Sequence, residues 1–116
     1  MKTQCIMFVA LVCLTMGVTG VRAEVTMMSM QEHRAEVNRI ICEKKVACQE
    51  PIQLDVCVNT WNKVAEIEIA EQGVEKITAL RSVMCRDYLR QKATCDNLTE
   101  IYKEGECVLS QLTNTQ

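Results

Sequence analysis

The chain has 116 residues, 13 basic against 15 acidic side chains, and almost half of its residues are apolar although only 3% are aromatic. That balance argues against binding nucleic acid or an anionic membrane by charge, because both need a clustered excess of Lys and Arg. The length suits one domain, and so few large side chains give it a thin core.

Residues 1–23 read as a secretory signal peptide that is removed. Lys2 supplies the positive start, Cys5 to Val18 is nearly all apolar, and Val21-Arg22-Ala23 offers the small residues that a signal peptidase inspects. Cleavage is expected after Ala23, with Gly20 as the alternative. The apolar run is shorter than a membrane span of roughly 20 residues, and no second run exists, so no stable membrane span is expected. The remainder, 24–116, is read as a single helical, disulfide-rich domain of 93 residues with a net charge of −4, since Lys2 and Arg22 leave with the leader.

Cys5 and Cys13 also leave with it, and Cys42, Cys48, Cys57, Cys85, Cys95 and Cys107 remain. An even count in a short secreted chain reads as three disulfides. A metal reading is weak, because there is no C-x-x-C pair and His33 is the single histidine. Neither a metal nor any other cofactor is expected.

Taken in order, Glu24 to Met30 carries Met27, Met28 and Met30 without clear periodicity and reads as a mobile arm. A first helix is expected from about Gln31 to Cys48, with Val37, Ile40, Ile41, Ala47 and Cys48 on one side. His33 lies near the same meridian and reads as a helix-end or half-buried residue. The stretch Pro51 to Gln72 forms the second helix, with Leu54, Cys57, Val58, Trp61, Val64, Ala65 and Ile69 at gaps of three and four. Gly73 suits its left-handed end. Val74 to about Lys92 forms the third, with Val74, Ile77, Leu80, Met84, Cys85 and Tyr88 on one face. These two are expected to fold back on each other as a long central helical hairpin.

Glu68 and Arg81 fall in the middle of the two facing apolar stripes, at similar heights above Gly73. Buried charges need partners, so an ion pair between Glu68 and Arg81 is expected inside the hairpin. Arg86 and Arg90, four apart on the outer face of the third helix, are a candidate interaction patch. Asp96 or Asn97 can cap a fourth helix carrying Leu98, Ile101, Tyr102, Val108, Leu109 and Leu112, with Gly105 weakening its middle. Asn97-Leu98-Thr99 matches the N-glycosylation acceptor pattern. Residues 112–116 read as frayed.

The fold class is therefore all-α, a small disulfide-stapled up-down bundle of about four helices. In such a bundle Cys48 and Cys95 sit at turns sharing one end. Cys42 and Cys57 are nearly equidistant from the first of those turns, and Cys85 and Cys107 from the second. The preferred connectivity is Cys42–Cys57, Cys48–Cys95 and Cys85–Cys107. The competitor keeps Cys48–Cys95 and nests Cys57–Cys85 inside Cys42–Cys107. Each bridge is worth about 2–4 kcal/mol.

General acid–base catalysis needs titratable groups in a pocket, and nucleophilic catalysis needs an activated Ser or Cys beside a base. One histidine and six bridged cysteines offer little of either, and no hydrolase, zinc or phosphate-loop motif is present. The chain reads as a non-catalytic secreted protein that binds another extracellular protein, in the manner of a signal, toxin or effector. The alternative is an extracellular carrier of a small apolar ligand or lipid, for which three aromatics in the domain give little lining.

Overall fold

A computed structural model describes residues 25–114, and the signal peptide expected at 1–23 lies outside the described residues. The order of elements is strand β1 (Met27–Ser29), helix α1 (Met30–Ala47), helix α2 (Leu54–Gln72), strand β2 (Lys76–Thr78) and helix α3 (Ala79–Lys92). Two 3-10 turns (Ile101–Lys103 and Gly105–Cys107) and the single-turn helix α4 (Leu109–Leu112) follow. The protein is an all-α bundle with three disulfides and one two-stranded ribbon.

The arm before the first helix is ordered as β1. It pairs antiparallel with β2, Met28 opposite Ile77, and flanking bonds from Met30 N to the Glu75 carbonyl (2.7 Å) and Ala79 N to the Thr26 carbonyl (2.9 Å) extend the ribbon. Both strands hand over directly to a helix through a hydroxyl cap. Ser29 Oγ accepts from Glu32 N at 3.0 Å, and Thr78 Oγ1 accepts from Arg81 N at 3.2 Å. Each hydroxyl satisfies a donor that the first helical turn leaves unpaired. Glu32 in the first turn of α1 and Lys44 and Lys45 in its last complement the helix dipole.

Helix α2 begins at Leu54, three residues after the expected start at Pro51. It ends as expected: Gly73 adopts φ 72°, and its N–H bonds the Ile69 carbonyl at 2.9 Å. Beyond it, Val74 to Thr78 is not helical. The pairing partner at residues 27–29 takes over the backbone hydrogen bonds that a longer third helix would have made, and Ile77 and Thr78 are β-branched and buried.

The long helices do not form the expected central hairpin. Helix α1 packs against both α2 and α3, whereas α2 and α3 meet each other only marginally. Its buried residues explain this, since Met30, His33, Arg34, Val37, Asn38, Ile40, Ile41 and Cys42 cover two sides of the helix. The polar members are tied to a neighbour. His33 meets Ser82 on α3, while Arg34 and Asn38 meet Glu68 and Asn62 on α2. The core forms where Val37, Ile40 and Ile41 meet Ile77, Cys85, Leu89, Leu98, Ile101, Tyr102 and Leu112.

No continuous fourth helix forms. Gly105 takes φ 54°, and a Cβ there would clash with the phenol end of Tyr88 on α3. The chain is drawn close at that point because Cys107 bonds Cys85 with a Cα separation of 4.6 Å. Leu112, expected in the frayed end, is 96% buried against the core and Asn114 is still described; residues 115 and 116 lie outside the described residues. The other two bonds are Cys42–Cys57, joining α1 to α2, and Cys48–Cys95, each with Cα atoms 5.8 Å apart. All three pairs are those of the preferred connectivity.

Candidate functional site

The interposed position of α1 redistributes the charged residues. Glu68 does face inward, but its partner is Arg34: Nη1 donates to Oε2 at 3.1 Å, and Tyr102 OH donates to Oε1 at 3.2 Å. The expected Glu68–Arg81 pair is not formed, because α1 stands between the helices that carry the two residues. Arg81 instead reaches the C-terminal segment, with Nε bonding the Asn114 carbonyl at 3.2 Å and Nη1 3.9 Å from Glu106.

Arg34 is the least accessible charged side chain of this group, with 7% of it exposed. Its guanidinium lies 4.8 Å from the centroid of the Tyr102 ring, and the Lys103 ammonium lies 5.2 Å from the same centroid. Tyr102 in turn meets Trp61 edge-on at 5.7 Å. Such cation–ring contacts add attraction when the cation is desolvated. Beside this cluster lies a cavity of about 210 Å³ between α1, the end of α2 and the C-terminal segment, lined in part by Met30, His33, Arg34, Glu68, Leu109 and Leu112.

His33 is buried, and its Nδ1 lies 2.7 Å from Ser82 Oγ, the spacing of a nucleophile and its base. Ser82 is fully buried, and the contact ties α1 to α3. Burial first, then the positive charges of Arg34 and Arg86, lowers the His33 pKa from 6.5 to about 4. Arg34 lies on its own helix and Arg86 on α3, while Glu68 and Lys103 share the adjoining cavity. The imidazole is therefore neutral at pH 7 in the folded state. In the unfolded chain it gains a proton near pH 6.5, so falling pH favours unfolding between about 6.5 and 4. This single group should remove about 3 kcal/mol of stability across that window. Urea denaturation at pH 7 and pH 4 checks it: His33→Gln should show a smaller loss than the parent chain, and equal losses would contradict the assignment.

Arg86 and Arg90, the candidate interaction patch, are each engaged on their own helix. Arg86 is half-buried, with Nε bonding the Ser82 carbonyl of its own helix at 3.3 Å. Arg90 is exposed and paired with Asp87 at 3.3 Å. Asn97 closes the end of α3: its Oδ1 accepts from Thr94 N at 2.8 Å and its Nδ2 donates to the Lys92 carbonyl at 3.1 Å.

Helix α2 carries an apolar stripe on its outward side. Val56, Val64 and Ile67 are 49, 37 and 62% exposed, and Thr60 completes the row at gaps of four, four and three. Lys63, Glu66 and Glu71 flank it. The helical wheel puts Val64 on the inner face, whereas it is 37% exposed in the structure. Among the described residues, no group of three or more His, Cys, Asp or Glu is placed to hold a metal ion, and no helix is long and apolar enough to cross a membrane. No family model matches the chain, and no curated protein or solved structure is significantly similar to it.

Proposed function

We propose that the chain is exported by the signal at residues 1–23, cleaved after Ala23, and acts outside the cell as a non-catalytic protein that binds another protein. Three disulfides in a small domain support export, because such bonds persist in oxidising compartments. Asn97 is then the glycan acceptor, and a substituted Nδ2 retains one N–H.

The observation that carries the binding reading is the outward stripe of Val56, Val64 and Ile67. Exposed apolar side chains are individually ordinary, but a row of them on a rigid helix, rimmed by charges of both signs, has the form of a contact surface. The Cys42–Cys57 bond holds the first turn of that helix against α1, which lowers the ordering cost of binding.

The test places a photo-crosslinking residue at Ile67, with Glu104 as the exposed control. In the native extracellular fluid, Ile67 should yield a discrete adduct that Glu104 does not, and Val56→Glu should abolish it. The captured protein, once purified, should bind the parent chain saturably and Val56→Glu at least tenfold more weakly. No discrete adduct, or adducts between copies of this chain alone, would overturn the reading.

A further inference from the structure

The described chain holds one buried cation whose hydrogen bonds are left half made. Arg34 spends Nη1 on Glu68, but its Nε and Nη2 are buried and have no partner. A guanidinium stays charged at any physiological pH, so these donors cannot be silenced by losing a proton. Donors of a buried charge are costly to leave unmade, and an acceptor is expected to fill the place.

The geometry of these donors narrows the choice. Nε and Nη2 lie along one edge of the planar group with parallel N–H bonds, the fork that takes the two oxygens of a carboxylate or phosphate. Around the cavity, Met30, Val108, Leu109 and Leu112 supply apolar wall. A charged head with an apolar body fits this combination, and a hydrophilic anion does not. At about 210 Å³ the space is below the range of drug-sized sites, so the body must be short. Charge points the same way. Arg34 and Lys103 bring two positive charges to the cavity against the one of Glu68, and buried His33 is neutral.

We propose that this cavity binds a compact apolar carboxylic acid, with Arg34 Nε and Nη2 holding the carboxylate and the walls from α1 and α4 holding the hydrocarbon. Glu68 and the Tyr102 ring hold the guanidinium beside the cavity, and a ligand must part the side chains that cover Nε and Nη2 to reach them. This reading is independent of the protein-binding stripe on α2 and narrows the sequence expectation of an apolar-ligand carrier to an acid of short chain length.

The experiment is nuclear magnetic resonance on the oxidised mature chain with octanoate as the probe. Octan-1-ol, with the same body and no charge, and inorganic phosphate, with charge and no body, are the comparisons. Octanoate should move the Arg34 Nε–H resonance and the backbone signals of Met30, Leu109 and Leu112 together and saturably. Octanol and phosphate should bind at least tenfold more weakly. Arg34→Lys keeps a cation for Glu68 but removes the fork, and should weaken octanoate at least tenfold. Should that variant not fold, Leu109→Trp fills the cavity with Arg34 intact and should cause the same loss. No saturable shift at Nε would mean that water completes Arg34 and would overturn the proposal. Equal binding of octanol would show an apolar hole alone, and equal binding of phosphate an anion site without a hydrocarbon wall; either would also overturn it.

Discussion

Reduction of the three disulfides is expected to unfold the chain at neutral pH and room temperature. The bonds span 15, 47 and 22 residues. On the chain-entropy account, loops of these lengths contribute about 3, 4 and 3 kcal/mol, or about 10 kcal/mol together. A folded domain has a margin of only about 5–15 kcal/mol, and a small one with a single buried tyrosine and a half-buried tryptophan sits low in that range. The bonds also interlock along the sequence, because Cys57 lies inside the Cys48–Cys95 loop and Cys95 inside the Cys85–Cys107 loop. Each one shortens the loops that its neighbours must close. Far-UV circular dichroism with and without reductant reads the outcome as loss of the helical signal. Replacing Cys48 and Cys95 together by Ala should cost about 4 kcal/mol in a urea titration, the largest loss of the three pairs. A reduced chain with the helical signal and denaturation midpoint of the oxidised one would contradict this account.

Glu68→Ala is expected to destabilise the fold by about 4 kcal/mol, because it strands a buried guanidinium. Its side chain satisfies Arg34 Nη1 and the Tyr102 hydroxyl at once, so both lose their partner. Replacing both members of the pair, Arg34→Met with Glu68→Leu, removes the charges together and should recover most of the loss. A double-mutant cycle separates the pairing found here from the one expected from the helical wheel. Coupling between Arg34 and Glu68 should be about 2 kcal/mol or more, and that between Arg81 and Glu68 close to zero. The opposite order would mean that α2 and α3 do face each other.

That mistaken pairing shows where single-chain periodicity stops. The spacing of Val37, Ile40 and Ile41, of Cys57, Trp61 and Ala65, and of Leu80, Met84, Cys85 and Tyr88 locates three long helices, and Gly73 marks one end correctly. The Cys42–Cys57 pair follows from distances to the turn, because antiparallel helices bring such positions level, whereas Cys85–Cys107 forms although the fourth helix that the same argument assumes does not. Which helix lies at the centre was hidden, because the buried sides of α1 include His33, Arg34 and Asn38. On a wheel His33 reads as half-buried and Arg34 and Asn38 give no apolar signal, and all three are buried because Ser82, Glu68 and Asn62 on other helices receive them. The ribbon was hidden for a related reason: a three-residue strand has no periodicity of its own and exists through its partner. Its presence had one local trace. Ser29 followed three residues later by Glu32 is a helix-start signature, which fixes the beginning of α1 and leaves Met27 and Met28 outside it. The cavity beside Arg34 had no trace at all, since its walls come from residues more than seventy positions apart.

The central claim, an exported chain closed by these three bonds, is tested most directly by mass spectrometry of the protein recovered from the extracellular fluid. The intact chain should begin at Glu24, carry glycan on Asn97, and contain no free thiol. Proteolysis without reduction should release linked peptides joining Cys42 to Cys57, Cys48 to Cys95 and Cys85 to Cys107. A protein that is found only inside the cell, retains residues 1–23 or carries free thiols at these six positions would contradict it.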